Sequence, residues 1–147
     1  MSLSYVTANP SSYLYLTSYR PVERAQLELC PEYNDYKYGL SNRNEYFSAL
    51  STEQICEQYA NRSVIYLLGS ADVNRDKDLE TNCSADAQGA NRLQRGRSYY
   101  SFINTFMPSA RHDMVVVPGV GHDHDAMFNS AAGKTAIFAL TTPAPGD

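Results

Sequence analysis

One five-residue run constrains this chain more than any other. Val64-Ile65-Tyr66-Leu67-Leu68 carries no charge and consists of β-branched, aromatic and leucine side chains, the composition of a strand buried on both faces. Such a strand needs helices above and below it, which implies a parallel sheet with crossover connections. The run stops at Gly69, and Asp72 follows in a turn-rich segment. A second stretch repeats the layout. Met114-Val115-Val116-Val117 leads into Pro118-Gly119-Val120-Gly121, and His122 stands where the acid stood before. In open parallel sheets, catalytic and ligand-binding groups gather beyond the carboxyl ends of strands. Asp72 and His122 are therefore site candidates; the alternative for Asp72 is a turn aspartate bonding its own backbone.

The segment between the two stretches supplies the crossover. From near Ser84 a helical pattern builds in which Leu93, Tyr100, Ile103 and Met107 share a face, widened by Tyr99 and Phe106, and Pro108 closes it. Gly89 and Gly96 lower helix propensity and mark places of close packing. Arg92, Arg95 and Arg97 read as a solvated face or as partners for the acidic segment over 72–82. Upstream, Ser4–Ala8 is a short strand ended by Asn9-Pro10. Ser51-Thr52-Glu53-Gln54 is a capping box opening a helix from Thr52 to Ala60. Ser130 caps a last helix, and Pro143 and Pro145 leave a frayed tail over 141–147. Residues 17–50 lack periodicity and form an irregular excursion with one or two helical turns, lid-like or packed as a surface loop. The element order gives a single three-layer α/β domain, 1–147, with a few parallel strands.

Charge and hydropathy remove several function classes. A formal net charge of -4 offers no broad basic footprint for nucleic acid. No apolar run approaches the roughly 20 residues that cross a bilayer, so no membrane partner is expected. Met1-Ser2-Leu3 lacks the basic and apolar regions of a signal peptide, and localisation stays open. Cys30, Cys56 and Cys83 cannot all pair within one chain, and none lies in a CxxC. One disulfide with a free thiol, or three buried thiols, fits equally.

The motifs resemble those of one family. Gly69-Ser70-Ala71-Asp72 resembles the acid turn after the seventh strand of many α/β hydrolases, and Gly119-Val120-Gly121-His122 their histidine loop after the eighth. Ala8-Asn9-Pro10-Ser11-Ser12-Tyr13 and Gln88-Gly89-Ala90-Asn91-Arg92 resemble segments of a poorly characterised microbial branch. The likeness covers nearly the whole chain but only the C-terminal half of that fold. It implies ester or amide hydrolysis of a small-molecule substrate through a serine nucleophile, with His122 as general base oriented by Asp72 and with no cofactor. One part is missing. No Gly-x-Ser-x-Gly occurs, and the resemblance places that elbow upstream of Met1. The chain alone is then expected to be inactive. Ser11 or Ser12, at the end of the first strand, is the substitute nucleophile to consider.

Competing assignments are few. Asp76 and Asp78 rival Asp72, and His124 rivals His122. Asp123 and Asp125 read as caps or solvent-facing charges, and His112 as a surface histidine before a strand. Asp72-x-Asn74-x-Asp76-x-Asp78 places oxygens as in a calcium loop, but Lys77 and Cys83 stand where glycine and glutamate belong. Without a Gly-x-Ser-x-Gly partner, a non-catalytic binding domain is the other class. Twelve tyrosines and no tryptophan suit either a half-wet packing layer or a ligand-contacting lid. The strand near Tyr5 would carry an open edge, covered by a second copy, by the early loop, or by an N-terminal partner.

Overall fold

Burial of the central strand on both faces organises the computed structural model, which describes residues 3–138. β1 (Ser4–Ala8), β2 (Ser63–Gly69) and β3 (His112–Val117) form a parallel sheet in the order β1-β2-β3. Tyr5 registers with Val64, and Leu67 with both Ala8 and Val115. Alternate side chains of β2 enter different cores. Val64 and Tyr66 pack with Tyr13, Tyr15, Ile55, Tyr99 and Ile103, whereas Ile65 and Leu67 pack with Val117, Met127 and Ala136. The first core is roofed by α3 (Thr52–Ala60) and α5 (Arg92–Phe106), the second by α6 (His124–Asn129) and α7 (Ala131–Phe138). This is a three-layer α/β arrangement. Each buried aliphatic or aromatic side chain contributes about 1.5–3 kcal/mol. No helix among the described residues is long and apolar enough to cross a membrane, and the tail over 141–147 lies outside them.

The helix starts follow local chemistry. Ser51 and Gln54 form the reciprocal capping box of α3, and Ser130 Oγ accepts from the Gly133 amide at the start of α7. The crossover departs from the sequence expectation. Instead of one helix from Ser84, a short α4 (Cys83–Asp86) ends, Gly89 takes a φ of 143°, and Asn91 caps a new helix at Arg92. The buried face of α5 also differs: it carries Arg92, Arg95, Gly96, Tyr99, Phe102 and Ile103. Leu93 and Tyr100 are only partly buried, and Phe106 is exposed. Gly96 sets how close α5 can lie to β2, because a Cβ there would stand 2.6 Å from a Leu68 methyl and 2.8 Å from the Tyr13 hydroxyl.

Two of the three arginines are buried rather than solvated. Arg95 donates to the carbonyls of Ser11, Glu80 and Gly89 and to the Asp86 carboxylate; Arg97 alone faces solvent. The excursion holds α1 (Arg24–Glu28) and α2 (Glu45–Ser48) and is pinned from within. Arg20, itself buried, stacks on Tyr15 and Tyr33 and donates to the carbonyls of Thr17, Tyr19, Tyr33 and Tyr38. A Cys30–Cys83 disulfide, with Cα atoms 5.8 Å apart, ties the excursion to α4; Cys56 is a free, half-buried thiol. Tyr13, Tyr15, Tyr66 and Tyr99 are core residues, with Tyr13 stacked on Tyr99 at 4.6 Å.

His112 corrects a further expectation. It opens β3 and is buried, with Nδ1 2.9 Å from the Tyr66 hydroxyl and Nε2 3.0 Å from the Tyr59 carbonyl. A carbonyl only accepts, so Nε2 carries the proton and Nδ1 accepts from Tyr66.

Two outcomes follow. Burial lowers the His112 pKa from 6.5, so below that pH the unfolded chain binds a proton that the folded chain refuses. Its stabilising contribution is whole above pH 6.5 and declines as pH falls. His112→Gln should flatten that part of the stability slope in urea titrations; an unaltered slope would contradict the buried neutral ring. Replacing Cys30 and Cys83 together by serine should remove about 2–4 kcal/mol from the unfolding free energy. A reductant-insensitive denaturation midpoint in the parent chain would show that the bridge does not form.

Candidate active site

Beyond the carboxyl ends of the strands, two loops are knitted together by their backbones. The Ser70 amide donates to the Val117 carbonyl at 2.9 Å, and the Ala71 amide to Val120 at 2.9 Å. The Gly119 amide donates to Ser70 Oγ at 2.7 Å. Gly69 permits this approach, since a Cβ there would lie 2.3 Å from the Val120 carbonyl oxygen. Asn9 closes the third side. Buried at the end of β1 with a φ of 44°, it accepts from the Gly69 amide at 2.8 Å and donates to the Gly121 carbonyl at 3.2 Å. One side chain thus fixes the acid turn and the histidine loop to each other.

Within that frame Asp72 and His122 meet. Asp72 Oδ2 lies 3.0 Å from His122 Nδ1. The Asp72 side chain is 0% exposed, whereas 41% of the imidazole side chain is open to solvent. An ionised carboxylate only accepts, so Nδ1–H is the donor and Nε2 keeps its lone pair. Among the described residues nothing hydrogen-bonds Nε2. The pair can therefore act as an oriented base facing outward, with a buried anion behind it to stabilise the imidazolium.

A second cation stands behind the acid. Arg92, wholly buried, places Nη1 3.4 Å from Asp72 Oδ1 and grips Asp76 with two bonds of 2.8 and 2.9 Å. Those bonds from Arg92 hold the Asp76 carboxyl down to about 2, and its nearby His122 acts in the same direction. Of the two readings of these arginines, Arg92 takes the one in which they partner the acidic segment over 72–82. The other candidates lie elsewhere. His124 is exposed beside Asp125, and the Ser12 hydroxyl donates to Glu80 at 3.1 Å. Asn74 and Asp78 face solvent. Asp123 caps α6 through the Ala126 amide.

The oxygens that the calcium-loop alternative requires are engaged otherwise here: both Asp76 oxygens bond Arg92, and the Asp72 oxygens face His122 and Arg92. Among the described residues, only Cys30, Glu32 and Cys83 cluster at ligand-like spacing, and their two sulfurs are joined to each other. A cavity of about 490 Å³ lies over the face of β1 and β2 that α3 and α5 cover, lined among others by Tyr5, Thr7, Tyr66, Phe47 and Tyr59. It reaches neither Asp72 nor His122.

The sequence matches no family model and no curated protein. Two solved structures share its architecture. LpqC, a poly(3-hydroxybutyrate) depolymerase from Bordetella parapertussis, superposes with a TM-score of 0.67 at 23% identity, over 96% of this chain and 42% of its own. Poly(aspartic acid) hydrolase-1 from Sphingomonas sp. KT-1 gives 0.59 at 19% identity, over 84% of this chain and 41% of its own. The chain spans less than half the length of either. Both are α/β-hydrolase-type hydrolases, and at these identities the likeness speaks for the fold: three parallel strands and their helices form part of an α/β-hydrolase fold.

Proposed function

We propose that this chain supplies the acid and the histidine of a serine-hydrolase triad acting on ester or amide bonds. The observation that carries this reading is the buried Asp72 carboxylate 3.0 Å from Nδ1 of a solvent-facing His122. In the proposed reaction, Nε2 removes the proton from a serine hydroxyl as it attacks the substrate carbonyl. Asp72 holds the tautomer and stabilises the imidazolium, which then protonates the leaving group. One structural neighbour is named for a polyester and the other for a polyamide substrate, in keeping with acyl transfer at either bond.

The nucleophile in this proposal comes from outside the 147 residues. Ser12 is engaged with Glu80, and no Gly-x-Ser-x-Gly is present. β1 is the proposed point of entry. Among the described residues it pairs only with β2, and its Tyr5 is exposed. A free strand edge of this kind accepts a further strand, from an N-terminal partner segment or a second copy.

A fluorophosphonate probe tests the proposal. The isolated chain should remain unlabelled. A polypeptide bearing the missing strand and serine elbow should be labelled only when mixed with it, and His122→Ala or Asp72→Asn should reduce that labelling by roughly 10⁴-fold. Labelling of the isolated chain would overturn the external-nucleophile proposal. Labelling indifferent to both substitutions would leave a non-catalytic binding domain as the reading.

A further inference from the structure

Arg92 presents a problem to the acid beside it. A guanidinium that closed bidentately on Asp72 would satisfy both carboxylate oxygens and compete with His122 for Oδ2, because fork-to-fork pairing is the strongest geometry available to arginine. Asp72 and Arg92 are both excluded from solvent, where attraction between them is least screened. Yet their contact is single and long, 3.4 Å, while the two short bonds of Arg92 go to Asp76. The more exposed carboxylate has taken the fork.

We propose that Asp76 is a positioning residue for the triad: by occupying the bidentate face of Arg92, it keeps that guanidinium from closing on Asp72 and leaves Oδ2 to His122. The proposal rests on the triad reading above and deepens it. Four groups share the balance: Asp76 and Asp72 on the loop after β2, Arg92 on α5, and His122 on the loop after β3. Two carboxylates against one guanidinium leave one net negative charge, which the imidazolium neutralises when it forms. With Asp76 uncharged, Arg92 would neutralise Asp72 instead, and the base would lose its counter-ion. Arg92 in turn sets a positive charge beside the buried carboxylate and limits its rotation, so the two residues work as a unit.

The test uses the hydrogen bond itself rather than turnover, in the 147-residue chain with ring-labelled histidine. The His122 Nδ1 proton should be seen by NMR in the parent chain and absent in Asp72→Asn. In Asp76→Asn it should exchange with water at least roughly tenfold faster, as expected when a charge-assisted bond is lost. Removing the competing cation as well, in Asp76→Asn/Arg92→Gln, should return the exchange rate towards that of the parent. A merely structural role for Asp76 would give no such recovery. Should the double variant not fold, Asp76→Asn/Arg92→Lys serves the same arm, since an ammonium cannot form the fork. Unchanged exchange in Asp76→Asn, or no recovery in the folded double variant, would overturn the proposal while leaving the triad reading intact. No protected Nδ1 proton in the parent chain would overturn both.

Discussion

A carboxylate withdrawn from water is tolerated only when charge and hydrogen bonds compensate it, because an unpaired buried ion costs several kcal/mol. Asp72 meets this requirement through His122 on one oxygen and Arg92 on the other. Much of the molecule can be understood as the apparatus that keeps those three groups in place. β2 delivers the acid because its five apolar residues fix the strand in the middle of the sheet. β3 delivers the histidine because parallel pairing with β2 brings the two carboxyl ends side by side. α5 delivers the arginine at its first turn, directly after the crossover has doubled back over the sheet.

Position along the strands is only the coarse setting. The fine setting comes from backbone contacts between the acid turn and the histidine loop, and from Asn9, which bonds both. The backbone contacts among these involve atoms that every residue possesses, so they are invisible as side-chain patterns. Their traces are the residues that permit them: Gly69, with no room for a Cβ against Val120, and Gly119, whose φ of 72° turns the loop. The site is thus held by the sheet's frame rather than by the excursion. Arg20 and the Cys30–Cys83 bridge bind the excursion to its own backbone and to α4.

The architecture was legible in the sequence wherever local composition decides the outcome. An uncharged β-branched run reads as a central strand, a Ser-x-x-Gln box as a helix start, and glycines after two strands as the sites of polar groups. The juxtaposition of Asp72 with His122 followed from these elements and from the length of the crossover. What escaped depends on partners remote in sequence. The burial of Arg92, Arg95 and His112 is of this kind: the two arginines were legible as partners of the acidic segment but not as core residues, and each of the three is buried because carbonyls, hydroxyls or carboxylates from other elements reach it. The division of the crossover into α4 and α5 was missed for a related reason. A helical periodicity survives across Gly89 and Asn91, although glycine's φ and the Asn91 cap restart the helix there. Disulfide pairing was equally closed to inspection, since it requires knowing that the excursion returns to α4.

The direction of the Asp72–His122 hydrogen bond decides whether Nε2 is free to act as a base, and the neutral tautomer of His122 reports that direction. Ring nitrogen-15 shifts of His122, recorded on the neutral imidazole, distinguish a proton on Nδ1 from one on Nε2. The Nδ1–H tautomer should dominate in the parent chain and lose its majority in Asp72→Asn. An Nε2–H majority in the parent chain, or populations indifferent to Asp72, would contradict that direction.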